Sequence, residues 1–262
     1  MFIIGELING MYKEAGRAIR EKDKSVIQRL AKRQKEAGAD ALDLNCGPVS
    51  KDPVLDMRWL IETVQEVVDM PLSLDSTKAN VIEEGLKLVK NKAIINSTSA
   101  DSEKLEILVP LAIKYNASLI GLTLDKNGVP QDKDRRLELA ARIVADCQEK
   151  GFPVENLYID PVVLPVNVAQ NQAGLVLEVL KEFKIISTPA PKTIVGLSNI
   201  SQGTTKRRLI NRTFLSMAIA ADLDAAILDP LDEELMNTLI TSELILNKQI
   251  YCDSYLDAYR KR

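Results

Sequence analysis

The chain has 262 residues, 46% of them hydrophobic and 27% charged, with a formal net charge of −3. That length is ample for one large hydrophobic core, and the slight acidic excess with only 4% aromatic residues argues against a nucleic-acid partner. The sequence contains no histidine, which excludes the usual general base, the usual zinc ligand and every serine or cysteine nucleophile that histidine activates.

Cysteine usage and the N-terminus indicate the compartment. Cys46, Cys147 and Cys252 are far apart and lack metal-ligand spacing, a pattern typical of reduced thiols and not of a disulfide framework. The stretch MFIIGELING has no basic region, and no window has the apolar length of a membrane span. We therefore expect a cytoplasmic protein with no signal peptide and no membrane partner.

Short apolar runs alternate with helical segments along the whole chain. The predicted strands are Phe2–Gly5, Ala41–Leu44, Leu72–Leu74, Ala93–Ile95, Ser118–Leu122, Leu157–Ile159, Thr193–Leu197 and Ala225–Leu228. The predicted helices are, approximately, Lys24–Ala37, Val54–Val68, Asn80–Val89, Ser102–Tyr115, Asp134–Lys150, Gly174–Lys184, Arg208–Ala221 and Glu233–Gln249. Because the strand runs are continuously apolar, they are typical of a parallel sheet covered on both faces.

Eight strand–helix units without a break in composition predict a closed (β/α)8 TIM barrel that forms a single domain over residues 1–262. The alternative is an open doubly wound sheet, which normally has a glycine-rich turn after its first strand. The segment GELING at residues 5–10 does not match the G-x-G-x-x-G pattern of such a turn. The barrel is therefore the preferred prediction.

Polar residues follow the predicted strands, where a barrel places its active site. They are Glu6, Asn45, Asp75, Asn96, Thr123, Asp160, Ser198, Asn199 and Asp229. None is cationic, so the ring offers amides and hydrogen-bond acceptors to a flat, neutral ligand that is rich in donors.

The same residue types also cap helices and form turns, so most of these positions have a structural interpretation as well. For Asp75 and Asn96 the structural and functional interpretations both stay open. For Asn45, Thr123 and Asp229 the structural interpretation is preferred.

Asp160 differs from these residues. Pro161 follows it, and the next predicted helix begins well downstream, so Asp160 cannot cap that helix directly. A carboxylate placed in such a loop is better explained by function, and we predict a functional role for it.

The loop after the seventh strand is the richest in polar groups. Within Lys192–Arg212 it has a neutral polar set, followed by a basic cluster at the start of the next helix: Ser198, Asn199, Ser201 and Gln202, then Lys206, Arg207, Arg208 and Arg212. A solvated face is the ordinary interpretation of a charge run. Because a helix N-terminus disfavours cations, the cluster also indicates a nearby anion, either a ligand carboxylate or an acidic partner.

Five segments resemble those of the pterin-binding methyltransferases. They are GELING at 5–10, LDST at 74–77, IINSTSA at 94–100, YIDP at 158–161 and GLSNISQG at 196–203. Each is short, but five in order at strand ends are specific, and the resemblance covers essentially the whole chain. The pattern is most similar to the methyltetrahydrofolate:corrinoid/iron–sulfur protein methyltransferases of acetyl-CoA-forming anaerobes.

The resemblance implies a folate site. Asp75, Asn96 and Asp160 would hold the pterin edge, since carboxylates and amide oxygens accept from the pterin's N–H groups. Asn199 would lie near N5, which carries the methyl group, with Gln202 and Arg207 toward the benzoyl-glutamate tail. The implied substrate-binding set is Glu6, Asp75, Asn96, Asp160, Gly196, Ser198, Asn199, Gln202 and Arg207, with Asn199, Asp75 and Asp160 as catalytic residues.

The implied reaction is displacement of the N5-methyl group of methyltetrahydrofolate by a Co(I) corrinoid. Asn199 would stabilise the protonated N5 in the transition state, because a tertiary amine is otherwise a poor leaving group. The chain lacks the histidine with which cobalamin modules of the methionine-synthase type ligate cobalt, so a partner corrinoid/iron–sulfur protein is expected to carry the corrinoid. The resemblance also implies a homodimer, and no metal site is expected in this chain.

Three alternatives stay open. The chain could pass methyl groups from a corrinoid protein of an O-demethylase system to tetrahydrofolate, or be a non-catalytic pterin-binding protein. It could also be a metal-dependent barrel lyase with Glu6, Asp75 and Asp160 around Mg²⁺. Dihydropteroate synthase, a more distant relative, is disfavoured because its S-R-K segment reads Ser198-Asn199-Ile200 here.

Overall fold

The computed structural model describes residues 1–48, 50–253 and 255–260. Eight parallel strands close into a barrel in sequence order, and β1 pairs with β8. The strands are β1 (Phe2–Asn9), β2 (Ala41–Asn45), β3 (Leu72–Asp75), β4 (Ala93–Ser99), β5 (Ser118–Leu122), β6 (Leu157–Asp160), β7 (Lys192–Gly196) and β8 (Ala225–Leu228). The predicted single-domain (β/α)8 TIM barrel is confirmed.

Helices connect the strands around the outside of the barrel. They are α1 (Lys13–Glu21), α2 (Lys24–Glu36), α3 (Pro53–Gln65), α4 (Ala79–Leu86), α5 (Ser102–Lys114), α6 (Lys133–Glu149), α7 (Gln172–Phe183), α8 (Arg207–Ala220), α9 (Glu233–Ile245) and α10 (Tyr255–Arg260). Short 3-10 turns precede β6 at Val154–Asn156 and follow β7 at Leu197–Ser201.

The prediction missed α1, which lies between β1 and α2. Its sequence contains Gly16, and an interior glycine lowers helix propensity. A Cβ at Gly16 would lie 2.4 Å from the carbonyl oxygen of Gly10, so the tight approach of α1 to the end of β1 requires glycine there. The prediction also missed α10, which follows α9, and α9 itself ends at Ile245, four residues before the predicted end at Gln249.

Two strands run four residues further than predicted. β1 and β4 continue to Asn9 and Ser99, and each contains an irregular register near its carboxyl end, between Gly5 and Ile8 in β1 and between Asn96 and Thr98 in β4. Such bulges at a barrel rim redirect side chains next to active sites. The polar groups of GELING and of IINSTSA therefore lie within strands and not in loops.

The strand pleat separates an apolar barrel interior from a polar mouth. A small core cluster of buried strand residues fills the interior: Ile4, Ala41, Ile94, Ile120, Tyr158, Ile194 and Ala225. Residues two positions further along a strand point to the same face. Counted in this way, the next inward layer consists of Glu6, Asp43, Asn96, Leu122, Asp160, Gly196 and Ile227, so the interior becomes polar at the carboxyl end of the barrel.

The larger hydrophobic core lies between the strands and the surrounding helices. All three cysteines are free; Cys46 and Cys147 are buried and Cys252 is exposed. Over the part of the chain that the structure describes, no helix is long and apolar enough to span a membrane.

Candidate active site

Two carboxylates on neighbouring strands lie in hydrogen-bonded pairs at the β2–β4 side of the mouth. Asp43 Oδ1 accepts from Ser73 Oγ at 2.6 Å and from Asn96 Nδ2 at 3.0 Å. Asp75 Oδ2 accepts from Asn45 Nδ2 at 2.6 Å. The strand register places Asn45 beside Asp75 and Asp75 beside Asn96, so the predicted pterin-edge residues Asp75 and Asn96 are brought together.

These hydrogen bonds decide what each side chain offers a ligand. Because the Asn96 amide nitrogen is engaged by Asp43, its carbonyl oxygen is the acceptor offered to the mouth. The helix-cap interpretation of Asp75 and Asn96 is wrong: α4 follows Lys78 and has no side-chain cap, and Asn96 lies inside β4. Asn45 has the expected turn role, accepting from the Gly47 N–H at 2.7 Å, and in addition it orients Asp75.

The site predicted from the sequence did not include Asp43. The structure places this residue beneath the mouth. Burial, with the charge of nearby Asp75, raises the pKa of Asp43 to about 8. Burial also raises the pKa of Asp75, while the hydrogen bond from Asn45 opposes that rise. An acidic residue inside the apolar run ALDLN was the available signal, because a charge is seldom buried in a strand without a function or a partner.

Asp160 ends β6 on the opposite side of the mouth. Its Oδ1 accepts from the backbone N–H of Val162 at 2.7 Å. Burial raises the pKa of Asp160 to about 7, while the N–H groups of Val162 and Gly196 and the Arg136 cation oppose the rise. As predicted, Asp160 caps no helix, because α7 begins only at Gln172. Asp160 therefore titrates near neutral pH.

Glu6 links β1 to the loop that follows β7. Its Oε1 accepts from Ser198 Oγ at 2.7 Å and from the Tyr12 hydroxyl at 3.1 Å. Burial raises the pKa of Glu6, and the two hydroxyl donors oppose that rise. Glu6 and Ser198, both in the predicted substrate-binding set, thus form one contact that fixes the loop after β7 against β1.

Asn199 lies in the 3-10 turn Leu197–Ser201, directly above the end of β7. A Cβ at Gly196 would lie 3.1 Å from Asn199 Nδ2, so the Asn199 amide approaches the backbone of β7 closely. Asn199 is exposed, and its carbonyl accepts from the N–H of Gln202 at 3.1 Å; Gln202 is exposed as well. The structure therefore holds an amide at the edge of the mouth with little to restrict its access to a ligand.

The three arginines of the basic cluster at the start of α8 have different surroundings. Arg207 turns toward the β7 loop, donating to Ser201 Oγ at 3.2 Å and to the Ser198 carbonyl at 3.4 Å. Arg212 pairs with Asp232 at 2.7 Å and with Glu234, while Arg208 is largely exposed. The solvated-face interpretation holds for Arg208, the anion beside Arg212 comes from the chain itself, and Arg207 alone of these three faces the site.

The remaining candidates have the structural roles predicted for them. Thr123 Oγ1 donates to the Asp160 carbonyl at 3.2 Å, and Asp229 Oδ1 accepts from the Leu231 N–H at 2.9 Å in a turn. Burial raises the pKa of the Cys46 thiol to about 12, so Cys46 is an unreactive buried side chain.

A cavity of about 410 Å³ opens beside Asp75, between the loops that follow β2 and β3. Met57 and Val81 contribute apolar walls, and Asp75 and Lys78 contribute charge. Its other polar lining residues are Asn45, Ser50, Ser76 and Thr77, and its lining does not include Asn96, Asp160 or Asn199. The cavity therefore covers only the β2–β3 side of the candidate site.

The carboxylates are arranged as separate groups and not as a metal centre. Glu6, Asp75 and Asp160 each belong to a different hydrogen-bonded contact. Within residues 1–48, 50–253 and 255–260, no three acidic or cysteine side chains are placed to hold a metal ion. Glu6, Asp75 and Asp160, the three carboxylates named for the lyase alternative, therefore do not form such a group in the described part of the chain.

Comparison with known proteins places this barrel among the pterin-binding proteins. Residues 14–229 match the family model of the pterin-binding enzymes, and the chain belongs to that family. The family-level resemblance drawn from the five segments is confirmed.

Two relatives illustrate the range of the family. A methylcorrinoid:tetrahydrofolate methyltransferase of Eubacterium limosum is 29% identical over 263 residues, covering 100% of this chain and 97% of that protein. The methionine synthase of Mycobacterium leprae is 28% identical over 240 residues, covering 87% of this chain but only 20% of that protein. This chain thus spans about a fifth of the methionine synthase.

Solved structures of dihydropteroate synthases share the fold. The Yersinia pestis enzyme with a sulfonamide drug superposes with a TM-score of 0.71 at 14% identity, covering 95% of this chain and 94% of that one. The Clostridium difficile enzyme with pteroic acid has a TM-score of 0.66 at 18% identity, covering 94% and 96%. At such low identities the likeness establishes the barrel fold alone.

Proposed function

We propose that this protein transfers a methyl group between N5 of tetrahydrofolate and the cobalt of a corrinoid carried by a partner protein. The observation that carries the proposal is the mouth itself: Asp75 and Asn96 side by side, Asp160 opposite, and the Asn199 amide above the end of β7. The Eubacterium limosum relative, aligned over nearly the full length of both chains, supports the same chemistry.

The acceptors would bind the pterin. Its 2-amino group and ring N–H groups are donors, and ionised carboxylates with an amide oxygen are the matching acceptors. Asp160 must be ionised to accept two such bonds, and its pKa of about 7 makes binding sensitive to pH near neutrality. Folate affinity is therefore expected to rise with pH through that range.

Asn199 would act on N5. A single amide donor or acceptor that strengthens only in the transition state is worth on the order of 10²–10³ in rate. An amide cannot act as a Brønsted acid near neutral pH, so the N5 proton would move through solvent and the strand-end carboxylates. Asp43, whose pKa is raised to about 8, is positioned to hold a proton beneath Asn96.

Methyl transfer in either direction would be a single displacement at the methyl carbon. In the direction toward folate, the N5 lone pair of tetrahydrofolate forms the new N–CH₃ bond, the electron pair of the Co–C bond stays on cobalt as Co(I), and the N5 proton leaves to solvent. In the opposite direction, Co(I) attacks the N5-methyl group while N5 is protonated. The same side chains serve both directions.

The Eubacterium limosum relative is a methylcorrinoid:tetrahydrofolate methyltransferase, which favours transfer from a methylated corrinoid protein to tetrahydrofolate here. A corrinoid protein of an O-demethylase system would then be the partner. A corrinoid/iron–sulfur protein of the reductive acetyl-CoA pathway, receiving the methyl group, is the second candidate. We further propose that the protein is cytoplasmic and forms a homodimer.

The deciding experiment is anaerobic spectroscopy of the corrinoid. The purified protein is mixed with tetrahydrofolate and methyl-Co(III) cobalamin, or with methyltetrahydrofolate and photoreduced Co(I) cobalamin. Interconversion of the two cobalt spectra in either mixture supports the methyltransferase. Folate binding without interconversion, both with free cobalamin and with the corrinoid partners, would identify a non-catalytic pterin-binding protein, and absence of folate binding would overturn the proposal.

A further inference from the structure

The most deeply buried cation among the described residues is Arg136, which lies behind the site. Arg136, in the first turns of α6, has 0% of its surface exposed. It forms no ion pair within the described residues; its acceptors are the carbonyls of Pro130 at 3.1 Å and Pro161 at 2.7 Å and the side-chain oxygen of Gln172 at 2.8 Å. Burying a charge among neutral acceptors is costly, and an apolar side chain of similar volume would avoid that cost.

The three acceptors belong to segments that meet at Arg136, and one of these segments contains Asp160. Pro161 directly follows it, Gln172 begins the helix at the far end of the same loop, and Pro130 precedes α6. The Gln172 amide in turn donates to the Gln131 carbonyl at 3.0 Å. One guanidinium group thereby fastens both ends of the loop after β6 to the loop before α6.

The peptide unit between Pro161 and Val162 is held from both sides. Its carbonyl oxygen accepts from Arg136 at 2.7 Å, and its N–H donates to Asp160 Oδ1 at 2.7 Å. Val162 has φ +62°, which is a strained conformation for a β-branched residue. Such strain persists only where the surroundings enforce it, and it concentrates at functional sites.

Rotation of this peptide unit would relieve the strain at Val162. It would also break both hydrogen bonds and turn a carbonyl oxygen toward the Asp160 carboxylate. Arg136 opposes that rotation, because it is the donor that holds the carbonyl on the far side. The arginine therefore acts on the carboxylate through one peptide bond.

We propose that Arg136 is a positioning residue for folate binding: it locks the Pro161–Val162 peptide and so fixes the direction of the Asp160 carboxylate in the mouth. The inference rests on the proposed folate site. The Arg136 cation also lowers the pKa of Asp160. Burial lowers the pKa of Arg136 itself, and the charges of Asp160 and of Asp132, which caps α6, oppose that fall. Loss of the arginine therefore affects both the direction and the ionisation of the carboxylate.

The first test needs no ligand. The pKa of the Asp160 carboxyl is measured by carbon-13 NMR in the wild type, Arg136→Met and Arg136→Lys. We expect it to rise above the wild-type value in Arg136→Met and to change little in Arg136→Lys, which retains the charge. An unchanged pKa in a folded Arg136→Met protein would overturn the inference even if the chain bound no folate, so this result is separate from failure of the proposed function.

The second test measures the Kd of tetrahydrofolate at pH 7 and pH 9. Arg136→Met is expected to weaken binding at pH 7 on the order of 10- to 100-fold, with part of the loss recovered at pH 9, where more of the Asp160 is ionised. The folate Kd of Arg136→Lys should lie between those of the wild type and Arg136→Met, because one ammonium cannot reproduce the forked guanidinium contacts. If Arg136→Met does not fold, the comparison of Arg136→Lys with the wild type provides the test. The control is the neighbouring Arg135→Met, whose partners are the carboxylates of Asp125 and Glu138 and not the loop after β6.

A rescue variant distinguishes positioning from packing. Glycine adopts positive φ without strain, so Val162→Gly removes the need to hold the peptide against rotation. The double variant Arg136→Met, Val162→Gly is expected to regain affinity on the order of tenfold over Arg136→Met. Wild-type affinity in Arg136→Met, or a loss that Val162→Gly does not restore, would refute the positioning role.

Discussion

Replacing Asp160 with asparagine should make the protein more stable and unable to bind folate tightly. The substitution keeps the shape of the side chain and an oxygen that accepts from the Val162 N–H. It removes a charge that is 7% exposed at the base of the mouth. The cost of that charge can be worked out from its titration.

Burial raises the pKa of Asp160 from 3.8 to about 7. Because each pKa unit corresponds to 1.36 kcal/mol, the ionised carboxylate costs the fold up to about 4 kcal/mol above pH 7. The raised pKa means that the native state binds more protons than the unfolded state between the two values. The contribution of Asp160 is therefore favourable at low pH and is lost as pH rises from about 4 to about 7.

The measurement is guanidinium unfolding of wild type and Asp160→Asn at a series of pH values, with tetrahydrofolate affinity measured in parallel. At pH 8 the variant should be more stable by about 2–4 kcal/mol, and near pH 4 the two proteins should converge. Folate affinity should fall on the order of 10- to 100-fold at pH 8, as for loss of a hydrogen bond to a charged group. Equal stability at pH 8, or unchanged affinity, would refute this account of Asp160; Asp134→Asn, an exposed site on α6, is the control.

Three further predictions concern the loop after β7. Asn199→Ala should lower the methyl-transfer rate on the order of 10²–10³ with a much smaller change in folate Kd; an unchanged rate constant with weakened binding would contradict its role at N5. Gly196→Ala places a Cβ 3.1 Å from Asn199 Nδ2 and should lower the rate by displacing that amide, without the drop in melting temperature that a core clash causes; an unaltered rate would mean that Asn199 acts from elsewhere. Arg207→Met should weaken binding of folate relative to the bare pterin, whereas Arg208→Met should not, and equal effects on both ligands would remove Arg207 from the tail site.

The polar groups of the mouth were largely predictable because they follow short apolar runs in the sequence. An apolar run that ends in Asp75, Asn96 or Asp160 is a local signal, and parallel strands bring their carboxyl ends together at one rim. Asp43 escaped this reasoning because it lies within a strand. Whether it points inward depends on the pleat, and a shift of one residue would turn it outward.

Arg136 is a second residue whose burial could not be predicted from the sequence. In the sequence it belongs to the charged segment QDKDRRLE, and neighbouring Arg135 is indeed a surface residue with carboxylate partners. The loop after β6 and the start of α7 fold over Arg136 and bury it. Nothing within its own helix marks that position.

The sequence by itself determined the barrel, the order of its elements and the strand ends that carry acceptors, since these follow from periodicity and composition over short stretches. Only the tertiary structure decided the contacts between distant segments: Ser198 on Glu6, Asn96 on Asp43, and Arg136 on the peptide after Asp160. Closure of the barrel fixes which side chains share the mouth. Burial there sets the pKa values on which the proposed chemistry depends, because desolvation acts on a side chain only once distant segments surround it.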